Sequence, residues 1–163
     1  YGISDFGLAS NIGISIKRAG EFIARYLERY PKVHEFMETA KKEGYLNEYA
    51  QTLYGRRRKL PELKSGNANH RNFGERVAMN MPIQGTAADI IKAAMVRVHR
   101  RLGEEGLKAR LILTVHDELL IETPEEEAVQ VVGLLRESME GVIKLKVPLQ
   151  SDIKTGNSWY ETK

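Results

Sequence analysis

Residues 111–115 and 119–121 are two short apolar runs that enclose the polar triplet His116-Asp117-Glu118. No other stretch restricts the fold of this chain as tightly. Runs this short and this rich in β-formers suit strands, and a polar triplet between them leaves room for a tight reversal. The stretch therefore reads as a buried strand, a turn and a returning strand, with Leu113 facing a core. The reversal contains no Gly or Asn, so its turn type stays open. Two adjacent carboxylates at the tip of a packed hairpin repel each other and lose solvation. A divalent cation would relieve both, and hard oxygen ligands favour magnesium. Acidic residues are also ordinary in solvated turns, and these residues alone do not choose between the two readings.

The chain has 163 residues, enough for a domain with a real core. It is 42% hydrophobic and 29% charged, the balance of a globular protein and not of a disordered one. A net charge of +3 permits a polyanionic partner without identifying one. With no cysteine, disulfides and thiolate metal sites are excluded, and a reducing compartment is weakly favoured. No apolar run is long enough to span a bilayer and no signal peptide is visible, so no membrane partner is expected. The first residue is Tyr1 and not methionine, and the opening reads like the middle of something, which suggests a missing upstream part.

The remaining pattern is mostly helical. Ser15 is placed to cap a helix reaching about Tyr30, and Pro31 suits the first turn of the next, with Gly44 a plausible terminator. Residues 45–53 lean towards strand. A helix is expected from about Asn72 to Met81, interrupted by Pro82, with a longer one from about Ile83 to Leu102. After the hairpin, Pro124 opens a helix whose buried face is expected to carry Val129, Val132, Leu135, Met139 and Val142. Residues 147–154 alternate like a final strand. The class is thus α+β, with helices packed on a small antiparallel sheet that has a central β-hairpin.

Two further constellations carry chemistry. Arg76, Asn80 and Gln84 recur every four residues. Arg76 and Asn80 share one helix face, while the bend expected at Pro82 leaves the alignment of Gln84 open. The minor groove offers an acceptor at every base pair, so such a row of donors can grip a duplex of any sequence. It can equally be the wet side of an amphipathic helix. The run Arg56-Arg57-Arg58-Lys59 needs solvent or an anion, and arginine forks suit phosphate oxygens.

Taken in order, these segments resemble the C-terminal part of the polymerase domain of a family A DNA polymerase, of the bacterial polymerase I type. Tyr1-Gly2-Ile3-Ser4-Asp5-Phe6-Gly7-Leu8 resembles the end of the fingers helix motif. Thr52-Leu53-Tyr54-Gly55-Arg56-Arg57-Arg58 with Leu60-Pro61 is similar to a second family segment. Glu75-Arg76 through Asn80-Met81-Pro82-Ile83-Gln84-Gly85-Thr86-Ala87-Ala88-Asp89 is similar to a third, and Val115-His116-Asp117-Glu118 to the palm motif with a catalytic carboxylate. Each segment is weakly specific, but the ordered set covers nearly the whole chain.

The resemblance implies fingers-derived helices over residues 1–54 and a palm part over 55–163. It implies that Asp117 is a catalytic ligand of two Mg2+ ions, supported by its neighbour Glu118, and that His116 lies near the primer end. Arg76, Asn80 and Gln84 would touch primer–template DNA on the minor-groove side. Tyr1 would lie beside the nascent pair, Gly2 and Ser4 along the template path, and Arg56, Arg57 and Arg58 near the template backbone. The implied partners are primer–template DNA, deoxynucleoside triphosphates and the missing N-terminal part of the same polymerase, in a bacterial cytoplasm close to the nucleoid. The implied reaction adds deoxynucleotides to a primer 3′ end and releases pyrophosphate.

The chain also departs from the family pattern. The second palm aspartate motif and the triphosphate-gripping part of the fingers helix are absent. Asp5, Asp89 and Asp152 are not obvious substitutes. One Asp–Glu pair is too few ligands for two tightly held magnesium ions, so the chain alone is expected not to polymerise. A duplex-binding module without catalysis and a magnesium-dependent nuclease are the alternatives.

Overall fold

A computed structural model describes residues 1–162. Its contacts divide into two compact units, Tyr1–Thr86 and a second from Ala87 onward. Among the described residues the chain is helix-rich, with two separate two-stranded antiparallel sheets, which is the α+β class expected. No helix is long and apolar enough to cross a membrane.

In the first unit, Ser4 caps α1 (Asp5–Ile12), its Oγ accepting the Gly7 N–H at 3.1 Å. Ser15 caps α2 (Ile16–Arg29) in the same way through the Arg18 N–H. Each cap satisfies a backbone donor that the first helical turn leaves without a partner. Pro31 then opens α3 (Pro31–Asn47). Gly44 does not end that helix. It is buried, and a Cβ there would lie 3.0 Å from the Ala78 Cβ and 3.2 Å from Leu60 Cδ1. The helix stops at Glu48, which adopts a left-handed φ of 63°. Only Tyr49–Gln51 of the strand-leaning stretch forms a strand, β1, paired with β2 (Arg57–Lys59). Ala50, Leu60, Leu63, Val77 and Ala78 form the core of this unit.

The helix α4 (Ala68–Glu104) corrects a second expectation, because it is one helix of 37 residues with Pro82 inside it. Proline removes the N–H that would bond the carbonyl four residues earlier. Locally, Thr86 Oγ1 donates to the Pro82 carbonyl and accepts the Leu53 N–H at 3.0 Å, so the Pro82 turn is tied to the loop after β1.

In the second unit, β3 (Arg110–Val115) and β4 (Glu118–Glu122) form the expected hairpin. A register shift between Leu111 and Leu113 marks a bulge at Ile112, so Leu111 pairs with Ile121 but Leu113 with Leu120. A shift of one residue moves side chains to the opposite face. Leu119 and Ile121 pack against the core formed by Val98, Leu102, Ala109, Val131, Leu134 and Leu135. Ile112 and Leu113 are 54% and 42% exposed, so the strand is not buried as the apolar run suggested.

A 3-10 turn, Glu125–Glu127, leads into α5 (Ala128–Glu140). Glu127 accepts the Lys108 and Ala109 backbone N–H groups, both at 3.1 Å, and so fixes the approach to β3. The buried face of α5 carries Val131, Leu134, Leu135 and Ser138, while Val129 is exposed. Of the stripe read from the sequence, Leu135 and Met139 do face this core, but at the start of α5 Val131 takes the buried position expected of Val129. Residues 147–154 form no strand. Glu140 Oε1 holds Ser151 through its N–H and its hydroxyl, both at 2.9 Å.

Candidate functional site

Because α4 continues through Pro82, Arg76, Asn80 and Gln84 keep helical phase and occupy one face. At a rise of about 1.5 Å per residue the row is about 12 Å long. At about 3.4 Å per base step along a strand, that is the reach of three to four base pairs. Arg76 and Gln84 are exposed and Asn80 is half-buried.

The opening residues of the chain lie against this row. Asn80 Nδ2 donates to the Tyr1 carbonyl at 3.2 Å. Gly2 has a φ of 76°, and a Cβ there would come within 2.6 Å of Met79 Cε and 3.5 Å of Arg76 Cγ. Only glycine turns and packs at this corner without strain. Tyr1, Gly2, Arg76 and Asn80 are thus brought together, while Ser4 serves as the α1 cap. The Tyr1 side chain is 89% exposed. The Arg76 guanidinium lies 6.0 Å from the Phe73 ring centre, and no described carboxylate forms an ion pair with it. Its neighbour Glu75 instead accepts the Tyr45 hydroxyl at 2.9 Å, a bond that holds the Tyr45 phenol above its ordinary range.

The basic run is split by the strand that contains it. Arg57 stacks 4.6 Å over the Tyr49 ring and donates to Gln51 Oε1 at 2.9 Å. Arg58 lies 3.9 Å from Glu62. Arg56 exchanges backbone hydrogen bonds with Thr52, whose N–H donates to the Arg56 carbonyl at 2.9 Å and whose Oγ1 accepts the Arg56 N–H at 3.2 Å. Alternation along β2 sends Arg57 and Lys59 to one face and Arg58 to the other. Tyr49, Gln51, Met79 and Thr86 all shape this surface, and the sequence reading missed them. The one legible signal was Tyr49-x-Gln51 facing Arg57-x-Lys59 across an antiparallel pair.

In the second unit, Val115 pairs with Glu118, so His116 and Asp117 form a two-residue loop. His116 has a φ of 54° and Asp117 is not in the positive region. A positive φ at the first loop position alone follows type II′ and not type I′, and type II′ prefers glycine there. The three polar residues are exposed. Asp117 and Glu118 offer the hard oxygens that magnesium prefers. Among the described residues, however, no group of three or more His, Cys, Asp or Glu is placed to hold a metal ion. The pair therefore fits part of a magnesium site and not a complete one.

Residues 1–161 match the family model for DNA polymerase family A. This chain belongs to DNA polymerase family A. Among its relatives, DNA polymerase I of Caldicellulosiruptor bescii is 52% identical over the whole chain, which covers 19% of that protein. DNA polymerase I of Bacillus subtilis is also 52% identical, with 18% of its length covered. A solved structure of the polymerase domain of Pol1 from M. smegmatis, in complex with DNA primer-template and dNTP, superposes with a TM-score of 0.96 at 41% identity. That match covers 99% of this chain and 29% of the other. The chain thus spans about a fifth of the length of the family A relatives it matches.

Proposed function

We propose that this family A chain is part of a DNA-directed DNA polymerase, supplying a primer–template grip and one acidic corner of the catalytic site. The observation that carries the reading is the unbroken face of α4, where Arg76, Asn80 and Gln84 align beside the Tyr1–Gly2 corner. Support comes also from relatives called DNA polymerase I and from a structural neighbour holding DNA primer-template and dNTP. On this reading residues 1–54 serve as fingers and residues 55–163 as palm. Arg76, Asn80 and Gln84 contact the minor-groove side of the duplex, where acceptors recur regardless of sequence. Arg56, Arg57 and Arg58 face the template backbone, Tyr1 the nascent pair, Gly2 and Ser4 the template path, and His116 the primer end.

The reaction is attack of the primer 3′-hydroxyl on the α-phosphate of a deoxynucleoside triphosphate, with pyrophosphate leaving. Asp117 and Glu118 would hold magnesium, which when bound supplies activation of the hydroxyl and neutralisation of the leaving oxygen. This chain's own residues hold the duplex and fix its end, the positioning on which phosphoryl transfer largely depends. Its two acids are too few for two ions, so the remaining ligands come from the rest of the polymerase, in a bacterial cytoplasm near the nucleoid.

The isolated chain is expected to bind primer–template DNA in a salt-dependent manner and not to extend the primer with Mg2+ and all four deoxynucleotides. Robust extension by the chain alone contradicts this division of labour. In the complete polymerase, Gln84→Ala is expected to weaken binding of the primer terminus by about 1 kcal/mol, the size of a net hydrogen bond, and to blunt the response to a mismatched end. Unchanged extension from matched and mismatched primers would rule out that role. The incomplete acidic site favours one second reading, that the chain on its own is a non-catalytic duplex-binding module.

A further inference from the structure

Asn80 does two things in this structure that a DNA contact alone does not require. Its Nδ2 donates to the Tyr1 carbonyl at 3.2 Å, across 79 residues of sequence. It also lies one residue from Met79, against which the left-handed Gly2 is packed so closely that a Cβ would meet Met79 Cε at 2.6 Å. Arg76 closes the same corner, with its Cγ 3.5 Å from that Cβ position. One turn of α4 therefore seats the Tyr1–Gly2 corner by a hydrogen bond on one side and packing on the other. A side-chain amide has two N–H donors and one oxygen acceptor. The bond to Tyr1 uses one donor and leaves one donor and the acceptor for other partners.

We infer that Asn80 is a positioning residue, seating the Tyr1–Gly2 corner on α4 so that the placement of Tyr1 is coupled to the row Arg76, Asn80 and Gln84. The inference rests on the polymerase reading above, in which Tyr1 borders the nascent pair and the row grips the duplex. Under that reading, a base pair of the wrong shape that disturbs Asn80 also disturbs Tyr1. Choice of the incoming nucleotide then depends on Asn80 through Tyr1, separately from how tightly the DNA is held. The corner has two independent points of attack. Asn80→Asp keeps the size of the side chain, removes the donor and sets an acceptor against the Tyr1 carbonyl. Gly2→Ala leaves Asn80 intact and strains the corner, whose φ of 76° L side chains rarely adopt.

The test uses the complete polymerase and its Asn80→Ala, Asn80→Asp, Gly2→Ala and Gly2→Ala/Asn80→Ala variants. Three quantities are read in single-nucleotide incorporation. They are the KM for the correct deoxynucleotide, the ratio of correct to incorrect incorporation, and the Kd for primer–template DNA. The expected result is a KM raised about tenfold by each single change, the size of one lost hydrogen bond or a displaced contact. The correct-to-incorrect ratio shifts in the same sense in all variants, and the DNA Kd of Gly2→Ala, which leaves the row intact, stays within about twofold. The double variant is no worse than the more damaged single, because both changes release one corner. Hydrogen exchange at residues 2–8 without DNA should rise in Asn80→Ala and Asn80→Asp, an effect that loss of a DNA contact does not produce. Additive effects, or a weakened DNA Kd with unaltered KM and unaltered exchange, overturn the inference. If the wild-type polymerase incorporates no nucleotide, the polymerase reading fails. The exchange measurement still decides whether Asn80 seats the corner.

Discussion

His116 occupies the first position of a two-residue hairpin loop with a φ of 54°, where glycine is the usual occupant. For an L-residue the left-handed region costs about 1–2 kcal/mol, and a β-branched residue tolerates it least. Such strain persists only where its surroundings hold it, and it concentrates at functional sites. Here it sits directly before Asp117. His116→Val is therefore expected to lower the unfolding stability by about 1–2 kcal/mol relative to His116→Gly, as read in urea unfolding. Equal stability of the two variants would show that the turn relaxes without the left-handed residue. Gly44 makes the contrasting case at the same scale. The sequence marks it as a helix stop, but its role is the close approach of Ala78 and Leu60, a tertiary fact that no local pattern carries.

At the scale of elements, carboxylates that accept backbone donors set joints of the second unit. Glu140 accepts the Ser151 N–H and then its hydroxyl, and these bonds hold its carboxyl below the usual carboxylate range. A depressed folded pKa means that the stabilisation is fully present above the unfolded value, about 4.3. It is lost as pH falls through the folded value. Glu140→Gln is therefore expected to flatten the acid limb of the stability profile below about pH 4.3 and to leave its shape near pH 7 unchanged. An identical acid limb in the variant contradicts the assignment.

Elements also show where the sequence was and was not readable. The Ser15 cap, the helix start at Pro31 and the hairpin followed from local chemistry, and all appear, whereas the Ser4 cap was not read from the sequence. Pro82 was misleading because the helix runs on through it: Thr86, one turn later, bonds the Pro82 carbonyl and takes the Leu53 N–H from the loop after β1, a long-range tie that the local pattern does not carry. Residues 147–154 alternate like a strand but have no strand partner among the described residues. Their anchor is a side chain, Glu140, and alternation alone does not distinguish the two cases. The bulge at Ile112 is equally silent in sequence, yet it sets the register, pairing Leu111 with Ile121 and Leu113 with Leu120.

At the scale of the whole molecule, the acidic loop and the α4 row were legible as residue types at a spacing, and the proposed function gives that spacing its meaning. The basic run was less legible, because Gln51, Tyr49 and Glu62 engage Arg57 and Arg58 from elsewhere in the fold. On the proposed function, the row on α4 holds the duplex while the acids at the hairpin tip serve the chemistry, so binding and turnover should separate. The most direct measurement compares Asp117→Ala with wild type in the complete polymerase, reading primer extension with Mg2+ alongside primer–template Kd. The expected result is a rate lowered by at least about a hundredfold, since a metal ligand supports several kcal/mol of transition-state stabilisation, with a Kd within about twofold of wild type. Extension at the wild-type rate, or a loss of activity fully explained by lost DNA binding, would contradict the account.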